Sequence, residues 1–386
     1  MSVDITGVNS EQVKQQNNRE SINKLKGGTR TKNKILLITY HFPPSTAIGG
    51  MRIASFARYF PAENWDTCVL TIKDRYLEHK DMKRLESLED LLIFKAMKLI
   101  SLQDIYLKTK SVLNRWRDGR KKAIETAIKI NDNNPDAKKN KIEEIKHFIN
   151  SFLLLPDEER NWIIPATFKT LHVLQQEKID CILTSCPPYS VHMVGLLATL
   201  ILPEIKWIAD FRDPWMVPLE KKSYPTTSLS NLIEYRLEKA VIHRSNLVLT
   251  TTKKLAETFI GYYNQCPASK FKLIPNGFDL EIDSSIKKKY CDIFTISYTG
   301  ALYFGRTPEP VFKAIASLIK NNKIVSEKIC LKLVGDCRRI EDIPTGEMIT
   351  RYGLESVVKV IDPVPLSEAQ QIIKQSHVAL LLAPEQ

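Results

Sequence analysis

No stretch of this chain is apolar for long enough to cross a bilayer. The longest apolar run, Val191 to Leu202, is 12 residues, where a spanning helix needs about 20. The first 33 residues are polar and hold no apolar core of a secretory signal. They read as a disordered tail, 1–33. Paired cysteine motifs are missing as well. Seven cysteines are scattered, none in a C-x-x-C spacing and none beside a histidine cluster. That argues against a disulfide framework or a structural zinc site and for reduced thiols, hence a cytoplasmic protein. Acidic residues are in deficit: 44 against 56 Lys and Arg, a net charge of +12. The surplus favours an anionic partner. Nucleic acid is disfavoured, because the basic residues follow no helix-turn-helix, RRM or zinc-finger pattern and are not interleaved with aromatics.

What is present is an alternation of short apolar runs with helical stretches. Ile35–Tyr40, Thr67–Ile72, Cys181–Ser185, Lys206–Asp210, Leu247–Thr251 and Lys272–Ile274 read as strands. A helix starts near Met51, with Ile53, Phe56, Ala57 and Phe60 on one face. Such alternation implies a parallel sheet covered on both faces. The pattern then restarts. Phe294–Thr299, Cys330–Val334, Val357–Ile361 and His377–Leu382 read as strands, and Pro310–Lys320 and Leu366–Gln375 as helices. At 386 residues two domains are expected. The boundaries are 34–280 and 281–386, the second stopping after four strands.

An insertion of about 74–160 interrupts the first domain and reads as mostly helical. Within it, 91–122 holds nine Lys or Arg against two Asp, with apolar residues between them. A basic amphipathic helix of this kind can lie on an anionic membrane surface. The alternative is a helical hairpin packed on its own domain with the basic face in water.

The candidate functional residues sit where strands end. Lys206 to Met216 reads K-W-I-A-D-F-R-D-P-W-M and delivers Asp210, Arg212 and Asp213 to a strand's C-terminal end, where open α/β sheets bind ligands. A structural Asp–Arg pair fixing a loop is the other reading. After the first strand come Gly49, Gly50 and Arg52 at a helix start, a setting that admits an anion. This is not the G-x-G-x-x-G nicotinamide fingerprint. After Cys181–Ser185 the chain reads S-C-P-P-Y-S-V-H, which puts His192 in the first turn of a helix; a structural histidine is the alternative. Cys186 has no sequence partner to act as a base. Asn276-Gly277-Phe278-Asp279 is a turn near the domain junction. In the second domain Gly300, Arg306 and Gly335 follow strands and suit a diphosphate clamp.

Together these segments resemble the GT-B glycosyltransferases. The likeness is to the glycosyltransferase family 4 proteins of bacterial surface-polysaccharide synthesis, over about Lys34 to the last residue outside the insertion. It implies an α/β fold with two Rossmann-like domains facing across a cleft, the first holding an acceptor and the second a nucleotide-sugar. It implies retaining transfer without a metal or cofactor, to a saccharide or polyprenyl-linked acceptor, on the cytoplasmic side of the inner membrane. Gly49, Gly50 and Arg52 would face the donor, and Gly300, Arg306 and Gly335 its phosphates. His192 would sit near the transferred sugar. Asp210, Arg212 and Asp213 would line the cleft. The family pattern continues into a helix with two glutamates that bind the donor. This chain reads as truncated at Ala383-Pro384-Glu385-Gln386, ahead of that helix, so a non-catalytic binding or assembly subunit of the same fold is the rival expectation.

Overall fold

A computed structural model describes residues 32–99, 155–216, 227–277 and 290–383, apart from 89, 303, 304, 341 and 342. The chain divides into two compact units, Met1–Asp279 and Leu280–Gln386.

The first unit is built on a seven-stranded sheet in which every pairing is parallel. Its strands are β1 (Asn33–Ile38), β2 (Trp65–Ile72), β3 (Leu92–Ala96), β4 (Cys181–Cys186), β5 (Lys206–Phe211), β6 (Leu247–Thr250) and β7 (Phe271–Leu273). Their order is β3-β2-β1-β4-β5-β6-β7, the doubly wound arrangement, which reverses direction between β1 and β4. Successive residues of the central strands face opposite sides. Leu36, Ile38, Cys68 and Leu70 enter one core, and Ile35, Leu37, Val69 and Leu183 the other. Burial on both faces explains why these strands read as unbroken apolar runs.

The helices are α1 (Met51–Tyr59), α2 (Ile163–Glu177), α3 (Ser190–Ile201), α4 (Ser228–Arg244) and α5 (Lys253–Tyr262). Thr227 and Thr252 cap α4 and α5 by accepting from the N–H groups of Ser230 and Leu255.

The inserted stretch differs from expectation at its start. Leu92–Ala96 is not the beginning of a basic helix but strand β3, paired with β2 from Cys68↔Leu92 to Ile72↔Ala96. Leu91 to Phe94 is a continuous apolar run, which fits a sheet edge better than an amphipathic face. Lys95 pairs with Asp74 at 2.6 Å and Lys98 with Glu159 at 2.6 Å, so two of the basic residues counted toward a membrane face are tied to the first unit's own acids. The described part of 74–99 otherwise holds short 3₁₀ turns, Asp74–Tyr76 and Met82–Leu88. The remainder of the expected helix, and the expected tail up to residue 31, lie outside the described residues.

The second unit repeats the design on a smaller scale. Strands β8 (Phe294–Thr299), β9 (Ile329–Val334), β12 (Val358–Ile361) and β13 (Val378–Ala379) form a parallel sheet in the order β12-β9-β8-β13. A two-stranded antiparallel ribbon, β10 (Arg339–Ile340) with β11 (Ile343–Pro344), stands apart. The helices are α6 (Glu309–Lys320), α7 (Thr345–Arg351) and α8 (Leu366–Gln375). Phe312, Ile315, Leu331, Leu333, Met348 and Leu354 make its core.

Candidate active site

Topology puts the crevice of the first unit at the C-terminal ends of β1 and β4, where the strand order reverses. Most of the charged residues singled out in the sequence converge there. Asp210, next to last in β5, is fully buried. Arg52, in the first turn of α1, donates to it from Nε at 3.0 Å and from Nη2 at 2.9 Å. Ser185, the register partner of Asp210 on β4, donates its hydroxyl at 2.7 Å. The remaining Arg52 nitrogen, Nη1, reaches the Pro275 carbonyl at 2.9 Å, and the guanidinium lies 4.8 Å from the Phe56 ring centre. A buried carboxylate is tolerated only with such a full set of partners. The Asp–Arg pair therefore locks α1, β4, β5 and the turn at 275–276 together.

Arg212 is a second clasp. Its Nε donates to the Cys186 carbonyl at 2.9 Å, and its two terminal nitrogens donate to the carbonyls of Gly49 and Pro187. One guanidinium thus ties the loops after β1, β4 and β5. A Cβ at residue 49 would come within 2.7 Å of Arg212 Nη1, so a side chain there would push the guanidinium out of this clasp. Asp213, the next residue, is exposed at the strand end.

His192 lies in the first turn of α3, as its spacing implies, and is fully buried. Its Nδ1 is 2.7 Å from Thr184 Oγ1, which also accepts from Trp207 Nε1 at 2.8 Å. Nε2 has no hydrogen-bond partner among the described residues. Burial, with Arg212 as a lesser cause, pushes its pKa down to about 3. The ring is therefore neutral at neutral pH.

One acid of this site was not picked out in the sequence. Asp157 accepts from the Ser190 N–H at 2.7 Å and from its hydroxyl at 2.5 Å, so the anion position at the start of α3 is filled by the chain itself. Burial raises the Asp157 pKa. His41, just past β1, is half-buried. Burial lowers its pKa, Arg212 lowers it further, and Glu159 and Glu78 oppose the shift. An acid-rich D-E-E-R run ahead of α2 was the available signal. Its partner at Ser190 is 33 positions away, and no local pattern connects them. Cys186 is fully buried and its thiol is pushed well up by burial, so it is not a nucleophile.

In the second unit the expected clamp residues follow β8 and β9. Gly300 donates its N–H to Val334 O at 2.9 Å. Gly335 has φ +119, and a Cβ there would overlap the Gly300 carbonyl oxygen. Two adjacent strand ends can approach this closely only because residue 335 is glycine. Cys337 Sγ also points at that carbonyl, at 3.4 Å. Arg306 is half-buried in the loop that leads to α6, where the Thr307 hydroxyl accepts from the Glu309 N–H at 3.1 Å. Among the described residues no group of three His, Cys, Asp or Glu could hold a metal. No helix among them is long and apolar enough to cross a membrane.

Residues 131–282 match the model of Glycosyltransferase Family 4. They cover α2 through β7, with the Asp157, His192, Asp210 and Arg212 positions. That stretch is glycosyltransferase family 4-like. Among solved structures, TarM of S. aureus superposes with a TM-score of 0.51 at 9% identity, over 90% of this chain and 79% of that one. The N-terminal domain of Candida albicans trehalose-6-phosphate phosphatase gives a TM-score of 0.51 at 13% identity, over 92% and 78%. Both are likenesses of fold, and the fold is GT-B. No curated protein sequence matches it.

Proposed function

We propose that this family 4-like chain is a glycosyltransferase that moves a sugar from a nucleotide-sugar to a saccharide or polyprenyl-linked acceptor. The observation that carries the reading is the convergence at the first unit's switch point. Arg52–Asp210 and Arg212 fix three strand-end loops in a stretch that matches the family model. On this reading the acceptor meets the tips of β1, β4 and β5, where Asp213 is the exposed carboxylate. Arg52, Asp210 and Arg212 are positioning residues: their hydrogen bonds are spent on the chain, and they hold the tips rigid. His192, buried and neutral, supports the same wall.

The donor would be held in the second unit by the loops carrying Gly300, Arg306 and Gly335. A sugar leaving a nucleoside diphosphate builds negative charge on the departing phosphate, and a nearby arginine stabilises that charge as it develops. In retaining transfer the departing phosphate itself can take the acceptor proton, so neither a metal nor a dedicated carboxylate base is required. Surface-polysaccharide assembly on the cytoplasmic face is the setting that fits such an acceptor.

Calorimetric titration with UDP, GDP and their sugars tests this. One nucleotide should bind, and Arg306→Ala should weaken it by about 1.5–3 kcal/mol, as for a charge-assisted hydrogen bond. The product anomer, read by NMR, tests retention, and transfer in EDTA tests the absence of a metal. No nucleotide binding and no transfer would overturn the proposal and favour a binding or assembly subunit.

A further inference from the structure

A cavity in the second unit lies away from the candidate site residues discussed above. It occupies about 690 Å³ in the second unit, between α6 and the starting ends of β8 and β9. This is the end of the sheet opposite Gly300 and Gly335. Ile296 and Ile329 line its strand side and Val311, Ala314 and Leu318 its helix side. Ala314 is the small residue at mid-helix that leaves the space open. The end wall, Ile324–Val325, is fixed by how α6 terminates. Asn322 takes the left-handed conformation at φ 53, Lys323 N–H returns to Leu318 O at 2.9 Å, and Asn322 N–H returns to Ile319 O at 3.0 Å. This is a Schellman stop. It turns the chain sharply and sets Lys323 on the lining beside Ile324.

The interior is apolar, yet it is open enough to leave Phe294 46% exposed and Val325 57% exposed. Its polar lining comes from two lysines, Lys323 and Lys328. Both charged residues of the lining are lysines, and no acid lines it. Lys313 and Glu309 nearby pair with each other at 3.4 Å, which leaves Lys320, Lys323 and Lys328 against Asp292 and Glu327 in the adjoining sequence. An apolar slot of ligand size with a cationic rim is complementary to one kind of molecule. We propose that this cavity binds an amphipathic anion: a linear alkyl or isoprenyl chain that lies in the slot, with a phosphate or carboxylate head on Lys323 and Lys328. The inference is independent of the transferase reading and of nucleotide binding.

The test is calorimetry on the full chain with octyl, decyl and dodecyl phosphate below their micelle concentrations. Dodecanoate is the carboxylate arm and dodecyltrimethylammonium the cationic control. Affinity should rise about fourfold per methylene, the equivalent of burying one CH₂. The cationic control should bind at least tenfold more weakly than dodecyl phosphate. Whichever of phosphate and carboxylate binds more tightly identifies the headgroup. Lys323→Gln/Lys328→Gln changes only surface residues; it should weaken dodecyl phosphate about tenfold at low salt and remove most of its salt dependence. Ala314→Phe fills the slot and should abolish binding in a protein whose circular dichroism is unchanged. Equal affinity for the anionic and cationic detergents, or dodecyl phosphate binding unaltered in the lysine variant, would overturn the proposal.

Discussion

The two units solve one problem in opposite ways. Each is a parallel sheet whose strand order reverses beside its first strand, and each must fix the loops at that reversal. The first unit does it with charge: a buried Arg52–Asp210 pair, the Arg212 clasp and Asp157 on the start of α3. The second does it with the absence of side chains, Gly335 against Gly300, and keeps its well-formed ion pair, Arg338–Asp362, in solvent. Buried charges hold several loops at once but fail badly when one partner is lost. A glycine contact holds two strand ends and leaves the rest of the surface free.

The sharpest way to break this contrast is Asp210→Ala. It strands the Arg52 guanidinium in a buried site and should cost about 3–5 kcal/mol. All five tryptophans lie in the first unit, so the loss should show as a lower midpoint in tryptophan-monitored urea unfolding. Next is Gly335→Ala. It combines a disfavoured φ with overlap on the Gly300 carbonyl and should cost about 2–4 kcal/mol. The tryptophan transition should stay in place while the circular-dichroism transition splits or moves down. If the tryptophan signal moves equally, the two strategies are not separable.

A smaller effect comes from acid. His192 has its folded pKa depressed to about 3, so the unfolded chain takes up a proton below about 6.5 that the fold refuses. The stability this group contributes is present above pH 6.5 and is lost as pH falls toward 3. Between pH 6.5 and 4.5 the loss is about 2–3 kcal/mol, and His192→Gln should flatten that slope. The smallest effect is expected for Arg338→Ala. This exposed pair should shift neither transition, and a clear shift would place working charge in the second unit too.

Strands were the most legible elements. β1, β2, β4, β5, β8 and β9 are apolar runs with definite ends, and each lies within a few residues of where its run suggests. α8, Leu366–Gln375, matches its apolar spacing to the residue. β3 was hidden because the basic residues after it continue a helix-like pattern, and a short apolar run has no period of its own. The β10–β11 ribbon has two-residue strands, too short to carry alternation. At the site, residue types and strand-end positions were visible, but pairings were not. Arg52 and Asp210 lie 158 positions apart, and nothing local to either names the other. That both ends of this pair were chosen for ligand contact, and then found bonded to each other, reflects the same physics: strand-end charges need partners, and a protein can supply them itself.

The place of β1 in the sheet also governs when the first unit can exist. β1 sits between β2, which follows it closely, and β4, which arrives far later; the Lys34 N–H bond to Asp180 spans 146 positions. On a ribosome adding about 5–20 residues per second, the β1 edge waits roughly 7–30 s for its partner. Through that interval an apolar strand with free N–H and C=O groups stands open to other chains. Expression yield should therefore respond to translation speed and chaperone supply through this one edge, before any loop, charge or ligand has begun to matter.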